Sequence, residues 1–507
     1  MINLYCRDDR FLGINCDFEE EKLLIQEILN VKFIESMWIG KGRYRRQKIT
    51  HNIVNFLFDD ELGIYTFLGY KDFLIKSIEF RNFNYKFNDV EFDLSNIKNL
   101  DSIKNIFKDS GIVLYDFQAI AVQKSLVMKY GAVIIPTGGG KTEVIFAIIK
   151  LLNMKTVVVV PTIAIAEQFV ERSKLRGLEN VGIVIGKEKN ENDITITTAS
   201  SLHNLIKSDK KIEADVVVFD EFHHVQSESW KDIFVSFSKS EYMFGFTGTM
   251  YRDLDIYKNI SDFTTLGISG RVIVDVSIKH LIQEGVITQP IVFVMDNPML
   301  KKSSINDWNM VKNIFIEGDD HRNGLIAEVM GMFERHGFTT LVSVTTKKHA
   351  KKILEKLDFD VAVKTVAVYG SNKGIKYNLG FRDSYIDYGD VANDLHNGDI
   401  SHIVSTSVFD EGVDLPSVNV IILGFSGKSL IKIPQKIGRG VRLSDGKNYT
   451  FIIDFDDRTH HYLENQFKKR INYYNSEGIP VIKNLDLETL FDGGINESCK
   501  KILQGRQ

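Results

Sequence analysis

Between residues 131 and 248 the chain repeats one pattern: a short unbroken apolar run, a turn residue, then in several cases a segment of helix length. The runs are GAVIIP (131–136), TVVVVP (156–161), DITITT (193–198), ADVVVFD (214–220) and EYMFGFTG (241–248). EVIFAIIKLLN (143–153) and AIAEQFVERSK (164–174) lie between them. A strand that is apolar at consecutive rather than alternate positions is buried on both faces, and a helix-length connection returns the chain to begin a parallel neighbour. The pattern predicts a parallel sheet with helices on both faces.

The pattern stops over 251–320, where LIQEGVITQP (281–290) reads as a helix end followed by an exit turn. It resumes with FTTLVSVTT (338–346), TVAVYG (365–370), ISHIVSTS (400–407), VNVIILG (418–424) and YTFIIDF (449–455), which predict a second α/β domain. Residues 1–105 differ, with scattered aromatics and strand-like stretches such as IVNFLF and IYTFLG. They read as a small α+β module. The expected organisation is an N-terminal accessory domain over 1–105, a first α/β domain over 106–295, a linker over 296–320, a second α/β domain over 321–475 and a tail over 476–507. No short-period repeat is visible, although the two α/β halves could be a domain-scale duplication.

Composition narrows the classes. A length of 507 residues suits roughly three domains at about 150 residues each. The formal net charge of -4 excludes a generally basic nucleic-acid binder, so any polyanion site must be a local patch. Cys6, Cys16 and Cys499 are scattered and form no CxxC pair, which argues against structural zinc or an iron–sulfur cluster and suits a reducing cytosol. The opening MINLYCRDDRFLGINC has acidic residues where a signal peptide needs an apolar stretch, and no apolar run approaches a membrane span. A soluble, cytoplasmic, monomeric protein without membrane partners is expected.

The segment IIPTGGGKTEV follows one predicted strand and opens a helix. Glycines there let backbone N–H groups close around phosphate oxygens, and the helix N-terminus favours the negative charge. Pro136, Thr137, Gly138, Gly139 and Gly140 would form the cradle for ATP. Lys141 would reach the β- and γ-phosphates, and the Thr142 hydroxyl would ligate Mg²⁺. The strict G-x-x-x-x-G-K-[ST] pattern fails at its first glycine, where Ile135 stands. VVVFDEFHH ends another predicted strand, and in phosphate-loop enzymes an Asp there holds Mg²⁺ while the adjacent Glu polarises the attacking water. Asp220 and Glu221 occupy those positions, although Asp-Glu after an apolar run is also a common helix start. His223 is by type more often structural. WIGKGRYRRQK (38–48) carries five cations, Lys41, Arg43, Arg45, Arg46 and Lys48, with Trp38 and Tyr44 interleaved and no acid. It is either a backbone-binding patch or a basic, solvated hairpin.

The ordered motifs resemble those of superfamily 2 helicases and translocases over roughly residues 110–460, a likeness carried by motif order and not by composition. Tyr115-Asp-Phe-Gln118 is similar to the adenine-reading glutamine motif, PTGGGKT (136–142) to motif I, VVPTIAIAEQF (159–169) to Ia and TITTASSL (195–202) to Ib. DEFH (220–223) resembles the DExH box, GFTGT (245–249) motif III and LVSVTTKKHA (341–350) motif IV. STSVFDEGVDLPSV (405–418) resembles motif V and QKIGRGVR (435–442) motif VI.

The resemblance implies an α/β protein of two tandem RecA-like parallel-sheet motor domains preceded by the small α+β domain, with ATP bound between the motor domains. It implies Gln118, Gly412 and Asp414 at the nucleotide, and Arg439 and Arg442 as arginine fingers, with Gly438 and Gly440 letting that helix start approach closely. It implies His223, Thr247, Thr249 and Gln435 as coupling residues, and Pro161, Thr162, Ser200, Thr345 and Thr406 on a nucleic-acid backbone. The basic segment is similar in layout to the N-terminal domain of phage UvsW-like helicases. That adds branched or duplex DNA as substrate, single strands as a further one, roles in recombination, repair or replication, and a phage-infected bacterial host. An RNA helicase and a restriction-system motor subunit remain alternatives. The second would need a nuclease domain, and the segment after YTFIIDFDD is expected to be too short for one.

Overall fold

A computed structural model describes residues 1–7, 10–39, 46–61, 63–88, 99–186, 188–210, 212–250, 260–297, 305–371, 374–378, 383–386, 388–406, 418–425, 432–443, 447–457, 460–483, 487–492 and 494–504. The chain divides into two compact units, Met1–Ile135 with Gly140–Asp275, and Pro136–Gly139 with Val276–Gln507.

The first unit holds an eight-stranded sheet ordered Glu188–Lys189, Val181–Ile185, Ile194–Thr198, Thr156–Val160, Val216–Asp220, Tyr242–Thr247, Tyr130–Ile134, Val272–Asp275. Every pairing is parallel except that of the short edge strand Glu188–Lys189. Val157, Val158, Val217, Val218 and Phe219 are fully buried, which is what unbroken apolar runs require of central strands. The helices Lys141–Leu152 and Ile163–Leu175 cross between strands as the pattern predicts.

The N-terminal region forms its own five-stranded sheet, ordered Phe58–Asp60, Gly63–Phe67, Phe11–Cys16, Ile2–Cys6, Tyr85–Asn88. It is less separate than the sequence suggests. Phe263, on the helix Ile260–Ser269, stacks on Tyr70 with centroids 4.6 Å apart and takes ring edges from Phe56 and Phe73. A Cβ on Gly69 would fall 1.8 Å from the Leu266 carbonyl oxygen, so only glycine permits this close approach. The expected division at 105 therefore crosses a shared aromatic core. The strands Asn30–Ile39 and Arg46–Asn55 pair as an antiparallel hairpin.

The second unit holds a nine-stranded sheet ordered Asp383–Ile386, Gly374–Asn378, Thr365–Ser371, His402–Ser405, Thr340–Ser343, Val420–Leu423, Tyr449–Asp456, Gln289–Asp296, Val481–Lys483. Three of its features differ from expectation. Gln289–Asp296, read as an exit turn and the end of the first domain, is a strand paired with Tyr449–Asp456 over its full length. Pro290 sits at the second position of that strand, where a proline is tolerated and signals no turn. The boundary thus falls near 275 rather than 295. The expected linker contains the helix Trp308–Phe315. The expected tail is core: Val481–Lys483 extends the sheet, and Leu487, Leu490 and Cys499 are buried in the same cluster as Phe333 and Phe451. Among the described residues no helix is long and apolar enough to cross a membrane.

Candidate nucleotide and coupling site

The phosphate loop follows the strand Tyr130–Ile134 and ends where the helix Lys141–Leu152 begins. Gly138 (φ 92°) and Gly140 (φ 77°) lie in left-handed backbone that side chains rarely adopt. Gly139 N donates to Pro136 O at 3.0 Å, closing the turn. No side chain caps the helix at Gly140. Helix N–H groups without a side-chain cap, behind a glycine turn, suit a phosphate. Lys141 Nζ donates to the Ile135 carbonyl at 3.3 Å, and Thr142 occupies the first helical turn. Ile135, which replaces the usual first glycine, is fully buried and donates its N–H to Thr247 O at 3.0 Å. That position is used for packing, so the departure leaves the cradle intact.

Gln118 is buried on the helix Asp116–Met128. Its Oε1 accepts from Tyr115 N at 3.0 Å, which fixes the helix start. Its Nε2 lies where a Cβ on Gly140 would come within 2.3 Å. The side chain expected to read adenine therefore braces the phosphate loop, and glycine at 140 makes room for it.

Asp220 ends the strand Val216–Asp220 and is 8% exposed. Glu221 follows with φ 53° and ψ 52°. Among the described residues, the other non-glycine residues with positive φ are four Asn or Asp residues and Lys129. A glutamate held there costs on the order of 1–3 kcal/mol, a strain typical of functional positions. His223 Nδ1 lies 3.3 Å from Glu221 Oε2 and 3.2 Å from Thr247 Oγ1. Thr247 Oγ1 donates to Thr249 O at 2.8 Å and accepts from Thr249 N at 3.3 Å. With the Thr247 hydroxyl donating to Thr249 O, the tautomer that fits this pattern has the His223 proton on Nδ1, donated to Thr247 Oγ1. The structure thus gathers Glu221, His223, Thr247 and Thr249: His223 Nδ1 and the Thr247 hydroxyl are hydrogen-bonded, Thr247 bonds Thr249, and the Glu221 carboxylate lies beside the same ring nitrogen.

Two packing features behind this cluster escaped the sequence. A Cβ on Gly245 would meet the Phe222 ring at 2.3 Å, so the first glycine of GFTGT exists to seat the phenylalanine of DEFH. Buried Glu143 takes Arg176 Nε at 2.7 Å and Arg172 Nη2 at 2.9 Å, tying the phosphate-loop helix to the helix Ile163–Leu175. Bidentate arginine pairing of this kind is directional as well as strong. Nothing local marks Glu143, because its partners lie on another helix.

Thr162 Oγ1 caps the helix Ile163–Leu175, accepting from Ile165 N at 3.3 Å, with half-buried Pro161 just before it. Ser200 is exposed, its Oγ 3.2 Å from Thr198 Oγ1. Thr345 is exposed and donates to Glu317 Oε1 at 3.3 Å, while Thr406 N donates to Val368 O at 3.2 Å. Gln435 is buried on the helix Lys432–Gly440. Gly438 and Gly440 lie at the end of that helix, not at its start as expected. Arg442 is beyond the helix, on an extended segment paired antiparallel with Ile287. Gly412, Asp414, Lys41, Arg43 and Arg45 lie outside the described residues, as do the side chains of Arg46 and Arg439.

The donors fit a magnesium nucleotide: a threonine hydroxyl in the first helical turn and a carboxylate at a strand end are the hard oxygen ligands this ion takes. A glycine cradle, a strand-end carboxylate pair and parallel sheets define a phosphate-loop ATPase built from α/β domains. The family model "Type III restriction enzyme, res subunit" matches residues 111–252, and "Helicase conserved C-terminal domain" matches residues 322–444. Together they span more than half of the chain, which belongs to superfamily 2 of the helicases and is an ATP-dependent enzyme of helicase type. The DNA 3'-5' translocase XPB2 of Sulfurisphaera tokodaii is 24% identical over 76% of this chain and 89% of its own length. The structure of S. cerevisiae Dbp5 bound to RNA and ADP BeF3 matches 80% of this chain and 98% of its own at 14% identity, with a TM-score of 0.53, a likeness of fold. The crystal structure of T4 UvsW covers 95% of this chain and 98% of its own at 17% identity, with a TM-score of 0.38.

Proposed function

We propose that this chain couples ATP hydrolysis to translocation on DNA, and that it remodels or unwinds branched DNA during recombination, repair or replication. The observation that carries the coupling is the cluster of Glu221, His223, Thr247 and Thr249. Glu221 acts as general base on the attacking water. A change in its charge is felt at His223 and, through the Nδ1 proton, at the GFTGT segment. Lys141 and the loop amides hold the phosphates, Thr142 and Asp220 hold Mg²⁺, and Arg439 and Arg442 stabilise the transition state. Magnesium supplies neutralisation of charge on the phosphoryl oxygens.

DNA is supported by the relative named a DNA translocase and by the restriction-enzyme family description. Branched substrates are supported by the hairpin Asn30–Ile39 with Arg46–Asn55, whose connecting segment holds three of the five cations of residues 38–48. The deciding measurement is ATPase stimulation by single-stranded, duplex, forked and four-way DNA, with RNA alongside. Forks and junctions should stimulate most. Neutralising Arg43, Arg45 and Arg46 together should remove that preference and lower the log–log salt slope of binding by about 0.9 per lost phosphate contact. Strongest stimulation by RNA would overturn the DNA assignment. An unchanged slope and fork preference in the neutralised variant would overturn the role of the hairpin.

A further inference from the structure

Lys447 is a buried cation that none of the ATPase motifs accounts for. It precedes the strand Tyr449–Asp456, is 7% exposed, and donates through Nζ to the carbonyl oxygens of Val418 and Gly440. Val418 is the last residue of the run STSVFDEGVDLPSV, and Gly440 is the last residue of the helix Lys432–Gly440. The Gly440 carbonyl stands at the negative end of that helix, where a cation is favoured. Burial pushes the Lys447 pKa down to about 8, so holding an ammonium here is costly and its carbonyl partners offset that cost.

Neighbouring groups lock the same place. Thr450 Oγ1 donates to Gly440 O at 2.8 Å and lies 2.6 Å from Thr288 Oγ1. Thr288 in turn donates its N–H to the Val441 carbonyl at 2.8 Å, and its hydroxyl oxygen, 3.1 Å from the same carbonyl, gives its one proton to Thr450 Oγ1. The next residue is Arg442, paired with Ile287. A Cβ on Gly440 would sit 2.8 Å from Ile421 Cδ1, so glycine is needed to bring this carbonyl down onto the sheet. The backbone carrying Arg442 is therefore pinned from beneath by the Lys447 ammonium, the Thr450 hydroxyl and the Thr288 N–H.

We propose that Lys447 is a positioning residue for ATP hydrolysis. Its ammonium clamps the end of motif V to the end of the motif VI helix, and so sets the backbone from which Arg442 acts. The inference rests on Arg442 being an arginine finger, and it assigns to Lys447 no contact with nucleotide.

The test uses the full chain and measures kcat and KM for ATP at saturating DNA for Lys447→Met, Arg442→Ala and the double variant, with thermal melting to establish folding. Misplacing a catalytic group by about 1 Å can cost on the order of 100-fold in rate. Lys447→Met should therefore lose about that factor in kcat with KM little changed. Because both residues act through one group, the double variant should be no slower than Arg442→Ala alone. Losses that multiply in the double variant, or wild-type kcat in folded Lys447→Met beside a slow Arg442→Ala, would overturn the clamp and leave the finger standing. Full turnover in Arg442→Ala would overturn the finger and the clamp together. If Lys447→Met does not fold, Thr450→Val removes the second donor to Gly440 O more gently. It should show a kcat loss with KM little changed and the same non-additivity with Arg442→Ala; a multiplying loss there would overturn the proposal.

Discussion

Replacing Thr247 with valine removes one oxygen and keeps the volume of a fully buried side chain. That oxygen donates to Thr249 O at 2.8 Å, accepts from Thr249 N at 3.3 Å, and meets His223 Nδ1 at 3.2 Å. Thr249 is half-buried and can recruit water, so most of the cost falls on His223, which is 4% exposed. A lost hydrogen bond costs about 1 kcal/mol net, and a buried group left short of a partner about 1–3 kcal/mol. The sum is about 2–3 kcal/mol, because His223 Nδ1 keeps Glu221 Oε2 within 3.3 Å. In a domain of this size that lowers Tm by roughly 5–10 °C. The functional signature is sharper. Basal ATP hydrolysis should persist, while stimulation by DNA should collapse, because the hydrogen bond joining His223 to the GFTGT segment is gone. Thr247→Ser, which keeps the hydroxyl and gives up a methyl, should retain stimulation. Differential scanning fluorimetry and DNA-titrated ATPase assays measure both quantities. A valine variant within about 1 °C of wild type in Tm and fully stimulated by DNA would refute this coupling.

Lys141→Ala should abolish ATP turnover and leave the circular dichroism spectrum unchanged, since the bond it loses to Ile135 O is long. Glu221→Gln should still bind ATP but turn it over very slowly, accumulating a nucleotide-bound complex on DNA detectable by filter binding; normal turnover would remove Glu221 from the base role. Gly245→Ala should cost about 1–3 kcal/mol by forcing the Phe222 ring aside, read as a fall in Tm together with loss of DNA stimulation. His349 is fully buried, and burial, with Arg322, Lys352 and Lys312 nearby, pushes its pKa down to about 3. The unfolded chain then binds the extra proton between pH 6.5 and 3, so stability falls as pH drops through that window. The loss between pH 7 and 5 is about 2 kcal/mol from this one group. His349→Gln, which can still donate to Asn323 Oδ1, should flatten that part of the stability–pH curve, measured by chemical denaturation at both pH values.

Legibility followed the range of the forces involved. The parallel strands of the first sheet could be read from runs such as TVVVV and VVVFD because burial on both faces leaves an unbroken apolar stretch rather than alternating polar positions. The glycine turn before the helix at 141 could be read because the backbone torsions at Gly138 and Gly140 admit few residues besides glycine. Gln289–Asp296 was missed because a proline at a strand start looks locally like a turn, and only the partner Tyr449–Asp456 reveals the ladder. The C-terminal segment looked like a tail because its apolar residues are sparse. Leu487, Leu490 and Cys499 count as core only against Phe333 and Phe451, which are distant in sequence.

The sequence by itself determined the class of fold, the glycine turn ahead of the helix at 141 and the acidic pair Asp220 and Glu221 at a strand end, because each is set by chemistry within a few residues. Tertiary structure alone decided how those pieces are held. Gln118 braces Gly140, His223 meets Thr247 across two strand ends, Arg176 reaches Glu143, and Lys447 joins Val418 to Gly440. A hydrogen bond forms only within about 3 Å and in the right direction. Residue order does not specify such distances between segments remote in the chain; the packed sheets and helices do.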